Sequence, residues 1–196
     1  DVGLDRAFQA HHDAYVKIFK RLSLNAMPVQ ASSGSMGGSA SIEFMVPSPA
    51  GEDDVLRCVS CGYKANVERG TSELAVIVDE TGPEEPERIA TPGVRTIAAL
   101  EEIDGGAVAE NQIKTMGMVM DDEVTLALLR GDHQLNLQKL QDYSGAVDIR
   151  PAEPAEVVKK LGASPGSLGA VGVKSLKVIA DFALDGRTNM MTGANE

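Results

Sequence analysis

The chain has 196 residues, 43% apolar but only 4% aromatic and without tryptophan, so it is long enough for one large or two small domains with a mainly aliphatic core. Its formal net charge of −11 repels a phosphate backbone on average, which weighs against a freestanding DNA- or RNA-binding module and leaves a local basic patch as the route to nucleic acid. No apolar run reaches the length of a membrane span, no secretory signal opens the chain, and the only two cysteines form one CxxC, so neither a membrane nor a disulfide-rich secreted domain is expected and the compartment is read as cytoplasmic.

The chain begins with Asp1 rather than Met, which reads as a start inside a longer protein. Leu4, Phe8, His12, Tyr15, Ile18, Phe19 and Leu22 recur mostly at three- and four-residue steps. That spacing predicts an amphipathic helix of about five turns, its aromatics packed into a core. A small-residue loop over 31–41 leads into a strand over 42–46, closed by Pro47, Pro49 and Gly51. A second strand over 55–57 precedes the CxxC turn of Cys58, Cys61 and Gly62.

Residues 74–78 read as a strand, and the acidic, proline-containing stretch 79–88 as an exposed linker, with a domain boundary near 69–90. Thr91-Pro92 opens a turn, followed by a helix holding Thr96, Ile97, Leu100 and Ile103. A further helix is expected over 109–114. Residues 115–120 and 124–130 predict two strands of a hairpin around Asp121-Asp122-Glu123. A short helix over 136–140, an extended piece over 146–150 and a helix over 154–161 follow; Pro154 in its first turn and Gly162 at its end delimit that last helix. Residues 178–181 predict a buried strand ending on a carboxylate. Helices and strands do not alternate as in a doubly wound sheet, so the fold class is α+β.

The candidate chemistry is modest. A structural zinc site needs four ligands and the CxxC supplies only two, so no metal is expected and the bland reading is a tight turn with packed thiols. The loop over 32–41 could cradle an anion with its backbone amides but fits neither the Walker nor the dinucleotide pattern, and a flexible connector is the simpler reading. Gly166, Ser167, Leu168 and Gly169 form a loop whose glycines permit close approach and whose amides could bind a developing oxyanion. His133 is the only histidine of this half, which leaves Ser167 without an evident triad. Lys114 near the start of a strand could grip a phosphate or an ester oxygen, although a solvated surface lysine is the commoner reading.

Taken in order, the segments are similar to a known family. GLDRAFQAHHDAYVKIFKRLSL resembles the helix after motif 2 of bacterial-type prolyl-tRNA synthetases, and SSGSMGGSASIEFMV resembles their GSxGGSxSHEF signature. GEDDVLRCVSCGYKANVE resembles the segment that follows. TPGVRTIAAL, the IKT around Lys114, LALLRGDHQLN, SPGSLGAVGV and VIADFALDGRTNMMTGANE resemble, in the same order, the editing domain inserted in that family.

The resemblance implies part of a class II synthetase catalytic domain at 1–70, a linker region at 71–90, and at 91–196 a mixed α+β editing domain of the synthetase-associated deacylase type. It implies a ligase that joins proline to tRNA(Pro) with ATP and Mg, and an editing site, needing no cofactor, that hydrolyses Ala-tRNA(Pro). Alanine is smaller than proline, so a synthetic pocket shaped for proline cannot exclude it strongly, and a second pocket is needed that rejects the larger ring.

On this resemblance Lys114 is the catalytic-site lysine, holding the terminal adenosine or its phosphate. Thr91, Gly166, Ser167, Leu168, Gly169 and Asp181 bind substrate, and Glu43 is a synthetic-site contact. The nucleophile is a positioned water, helped by the tRNA's own ribose hydroxyl. The implied partners are the tRNA(Pro) acceptor end, alanine or proline, and a second copy in a homodimer, with no DNA. Ile42 stands where the family has a histidine, Ala170 where it has a proline, and Glu196 precedes the family's usual editing histidine. The segment alone is not expected to aminoacylate; the alternative reading is a non-catalytic remnant that keeps the pocket without turnover.

Overall fold

Asp1 starts the first helix, α1 (Val2–Arg21): its carboxylate accepts from the Gly3 amide at 2.8 Å, while Lys20 and Arg21 lie in the last turn, where a helix favours positive charge. The computed structural model describes residues 1–34, 37–38 and 40–196, which divide into two units, Asp1–Ser72 and Glu73–Glu196.

In the first unit, β1 (Met27–Ala31), β2 (Ser41–Met45), β3 (Val55–Arg57) and β4 (Lys64–Asn66) make one sheet in the order β2-β1-β4-β3. Val29 and Ala65 form its buried centre, at 1% and 0% exposure. The aromatic residues of α1 gather on one strand residue: His12, Tyr15 and Phe19 place their rings 5.3–5.6 Å from that of Phe44. They do not form the expected core, because no residue of α1 is buried.

At the CxxC turn the Cys58 amide donates to Tyr63 O and the Gly62 amide to Cys58 O, with Gly62 at φ 76°. Amides of Cys61 and then Ser60 point at the Cys58 sulfur and draw its thiol below the usual range. The anion-cradle reading of the loop over 32–41 falls in part on Ser35, Met36 and Ser39, which lie outside the described residues.

The second unit is mixed α+β, as its element order implied. β5 (Ile113–Met120) and β6 (Glu123–Arg130) pair antiparallel through a two-residue turn, Asp121-Asp122, with φ 46° and 69°. That turn has the hand that suits the twist of a hairpin. β7 (Ile149–Pro151) joins β5 antiparallel and β8 (Lys177–Ala180) joins β6 parallel, giving the order β7-β5-β6-β8. Helix α2 spans Ile97–Glu101 with Thr96 as its cap, and α3 spans Leu137–Ser144, longer than its sequence signal. In α4 (Pro154–Leu161) the amides and carboxylates of Glu153 and Glu156 cap one another, and Gly162 ends the helix at φ 74°.

Strand alternation sorts the core. Met118, Met120 and Ala127 pack with Leu140 of α3, Met116 and Ile179 on one face. On the other, Gly117 lets α4 approach: a Cβ there would stand 2.8 Å from Val157, whose cluster holds Ala163 and Leu168. Each large side chain so buried contributes about 1.5–3 kcal/mol.

Three local expectations are corrected, and one strand was missed. Residues 74–78 form no strand; Val76 and Val78 are 92% and 89% exposed, and an apolar run without a partner strand has no ladder to join. The helix expected over 109–114 is a 3-10 turn at Ala109–Asn111 that hands over to β5, which puts Lys114 in a strand. The strand expected to be buried at 178–181 is the exposed sheet edge β8, and Asp181 lies just past its end. β1 was not foreseen from sequence at all.

Candidate active site

A cleft of about 1570 Å³ opens in the second unit. It is lined chiefly by the segment 82–97, the turns around 105–108, residues 111–115 leading into β5 with Lys114 and Thr115, the loop 166–168, and the segment 188–194. Of the residues singled out from sequence, Thr91, Lys114, Gly166, Ser167 and Leu168 meet there.

Lys114 pairs across the hairpin with Leu129. Its ammonium has no hydrogen bond or ion pair among the described residues, so its charge is available to a ligand. Arg95, which also lines the cleft, is likewise unpaired among them. Arg88, the other basic residue of the lining, is engaged with Glu196 at 2.6 Å.

The 166–169 loop is braced from behind. Gly166 adopts φ +107°, a conformation suited to glycine, and a Cβ there would stand 3.0 Å from the Arg95 stem. The Asn195 side chain accepts from the Gly169 amide at 3.0 Å and donates to Gly169 O at 2.9 Å, and the Asn195 amide donates to Ser167 O at 2.8 Å. A Cβ at Gly169 would overlap Gly193 O, and one at Gly193 would overlap the backbone of Leu168 and Ser167, so neither tolerates a side chain. Gly169 therefore supports the loop and does not line the cleft. Ser167 Oγ donates to Ser164 O at 3.2 Å, within its own turn. His133 instead lies 3.9 Å from Asp181, so Ser167 gains no base from it.

Asp181 stands outside the lining. Its amide donates to Leu128 O, its carboxylate accepts from the Ala183 amide at 2.8 Å, and it lies one strand beyond β6 from Lys114. Glu43 belongs to the first unit, on β2, where Asn66 Nδ2 donates to it at 3.4 Å.

The walls are joined by a pair the sequence did not reveal. Arg187 donates to Asp79 through Nε and Nη2 at 2.8 and 2.7 Å, and Nη2 also reaches Glu110 O and Asn111 Oδ1. The Thr188 amide donates to the same carboxylate at 2.8 Å. Arg187 first, and that amide second, hold the Asp79 carboxyl at about 2, well below its ordinary range. One guanidinium thus ties the approach to the 82–97 wall, the turn before β5 and the start of the 188–194 wall.

Inside the cleft several polar atoms are left over. Gln112 Nε2 donates to Ile97 O and Ala107 O, which fixes its amide, but its Oε1 has no partner. The Thr115 and Thr192 hydroxyls are also buried without one. Three such orphans lie along the cleft, where a polar ligand would complete them, and a fourth, Arg187 Nη1, lies outside its lining. Of the lining residues, Thr91, Lys114 and the 166–168 loop had a sequence signal. Arg95, Gln112, Thr115 and Thr192 look like ordinary surface or strand residues until the chain folds.

The chain belongs to the aminoacyl-tRNA editing domain family, whose model matches residues 91–196. This agrees with the resemblance read from the sequence. A proline-tRNA ligase of Anaeromyxobacter sp. (strain Fw109-5) is 50% identical over 194 residues, covering 99% of this chain and 34% of the ligase. One from Ligilactobacillus salivarius is 39% identical over 197 residues, covering 100% of this chain and 34% of the ligase. The chain therefore spans about a third of the length of the curated relatives it matches. A solved structure provisionally described as a trans-editing enzyme for prolyl tRNA synthetase superposes at TM-score 0.42 with 26% identity, over 46% of this chain and 57% of its own, too low a likeness to bear on the site.

Proposed function

We propose that this chain is the editing segment of a proline-tRNA ligase and that its cleft hydrolyses alanine from Ala-tRNA(Pro). The observation that carries the reading is Lys114, an unpaired cation in the wall of a cleft formed within the family-matched residues, facing a ligand space shared with Thr91 and the 166–168 loop. An ammonium there attracts the charge of the terminal nucleotide and favours the oxyanion that develops as the ester is attacked. The loop amides and Leu168 bound the space for a small side chain, and the bulkier proline ring is rejected by size. The nucleophile is water, positioned by the cleft and by the ribose hydroxyl next to the ester. Gly169 holds the loop from behind, and Asp181, outside the cleft lining, is given no substrate contact.

In the longer ligase, ATP, Mg, proline and tRNA(Pro) serve the synthetic reaction, in a cytoplasmic homodimer. The first unit then contributes part of the class II catalytic domain, with Glu43 as its synthetic-site contact. Editing is proposed to need no cofactor, and Mg to serve the synthetic reaction of the longer ligase; among the described residues no three His, Cys, Asp or Glu side chains come together.

The test is release of alanine from Ala-tRNA(Pro) beside proline from Pro-tRNA(Pro). The chain is expected to release alanine selectively, and Lys114→Ala to slow release about a hundredfold. Equal hydrolysis of both esters, or a rate indifferent to Lys114, overturns the reading.

A further inference from the structure

We propose that Arg95 is a phosphate-binding residue of the cleft, gripping a phosphodiester of the single-stranded acceptor end next to the terminal nucleotide. The proposal rests on the editing reading for the identity of the ligand, and on three observations for the residue.

First, Arg95 and Lys114 are the two cationic cleft residues without a hydrogen bond or ion pair among the described residues, whereas Arg88 is neutralised by Glu196. In a chain of formal net charge −11 an anionic ligand gains nothing from the average field, so attraction has to come from cations at the site itself.

Second, the Arg95 stem runs beside the 166–168 loop. Its Cβ, Cγ and Cδ lie 3.0–3.4 Å from the point a side chain at Gly166 would occupy. The glycine, at φ +107°, leaves room for the aliphatic stem to run along the loop. An arginine whose stem is seated loses less freedom on binding than one that waves in solvent, and its planar fork matches two phosphate oxygens.

Third, Arg95 and Lys114 approach one ligand space from different segments of chain: Arg95 from the 82–97 wall, beside the 166–168 loop, and Lys114 from β5. A nucleotide carries its 5′ phosphate several bonds from its 3′ ester, so one ligand in this space can meet two cations held on different segments. Lys114 at the reacting end and Arg95 at the phosphate divide the work between chemistry and grip.

The experiment uses two non-hydrolysable probes, so that binding is read apart from turnover: 3′-alanylamino-3′-deoxyadenosine, which has no phosphate, and the CCA trinucleotide that ends in the same group. Affinities are measured by calorimetry for the intact chain and for Arg95→Met, which keeps a stem against Gly166 without charge, and Arg95→Lys, which keeps charge without the fork. The trinucleotide is expected to bind the intact chain about tenfold tighter than the nucleoside at low salt. Arg95→Met should erase that ratio and flatten the salt dependence of trinucleotide binding by about 0.7 in log–log slope; Arg95→Lys should keep part of both.

A ratio that survives in Arg95→Met, or an intact chain that binds neither probe, overturns the proposal. Alanine release from Ala-tRNA(Pro) is scored separately. A chain that binds the trinucleotide through Arg95 but releases no alanine sinks the editing reading while leaving the phosphate grip in place.

Discussion

Arg187 and Asp79, 108 residues apart in sequence, form a two-bonded ion pair with side-chain exposures of only 4% and 6%. A buried pair of this kind is a weak source of net stability, because both charges leave water, but removal of one partner strands the other. Asp79→Asn is therefore expected to lower the thermal midpoint by about 5 °C or more. Amide exchange should rise at the residues of the 82–97 and 188–194 walls before it rises in β5 and β6. A uniform rise across the sheet would mean that the pair holds the whole unit and not the cleft.

Acid should act on the same pair. The Asp79 carboxyl is depressed from its ordinary 3.8 to about 2, so its contribution is present above pH 3.8 and is lost as pH falls toward 2. Glu156, held at about 2 first by Arg150 and next by the Glu153 amide, follows the same course over 4.5 to 2. Circular dichroism titration should show the native protein losing stability through that window. The slope should be shallower in Asp79→Asn and shallower still when Glu156→Gln is added.

The orphaned hydroxyls allow a test that separates ligand contacts from structural ones. Thr115 and Thr192 leave buried oxygens without partners, so replacing either by the near-isosteric valine removes no internal hydrogen bond. Thr115→Val and Thr192→Val are expected to leave urea unfolding unchanged or to stabilise slightly. A loss above about 1 kcal/mol would show that each hydroxyl is satisfied in the native state and is not reserved for a ligand.

Gly169 offers the opposite case. A Cβ at this position would overlap Gly193 O, a backbone atom that cannot swing aside. Gly169→Ala is expected to cost about 1–3 kcal/mol in urea unfolding and to displace the 166–168 loop. Alanine release should therefore fall even at temperatures where the protein stays folded. Full activity in a folded Gly169→Ala protein would remove the loop from the working site.

The hairpin turn is open to improvement. Asp122 sits at φ 69°, where glycine is less strained, whereas Asp121 uses its carboxylate to accept from the Val147 and Asp148 amides. Asp122→Gly is expected to stabilise by about 0.5–1 kcal/mol and Asp121→Gly to destabilise, as read by thermal unfolding.

Local rules made much of this legible. The α4 helix announced itself through Pro154 and Gly162, and the hairpin through two apolar runs around Asp121-Asp122-Glu123. These signals lie within a few residues of the structure they cause. β1 escaped notice because Pro28 lies inside it. It pairs with β4 through Gln30 and Ala65 alone, so the missing proline N–H costs that contact nothing. Residues 74–78 misled for the converse reason: their composition suits a strand, but the fold supplies no neighbour. In the site, Lys114 and Gly166 to Gly169 carried a weak local signal, and resemblance added Thr91 and gave all of them their roles. The Asp79–Arg187 pair and the packing of Arg95 against Gly166 are encounters between distant segments, and no local pattern carries them.

The position of Asp79 bears on where this site can be divided from its surroundings. The family match begins at Thr91, yet the anion that neutralises Arg187 lies twelve residues earlier, within a unit that starts at Glu73. A chain begun at Thr91 would keep a guanidinium in the interior with no counter-ion and would lose residues 82–90 from the cleft wall. The portable form of the site is residues 73–196. A transplant into another protein, or a swap between relatives, made at the family border would carry the pocket's name without one of its sides.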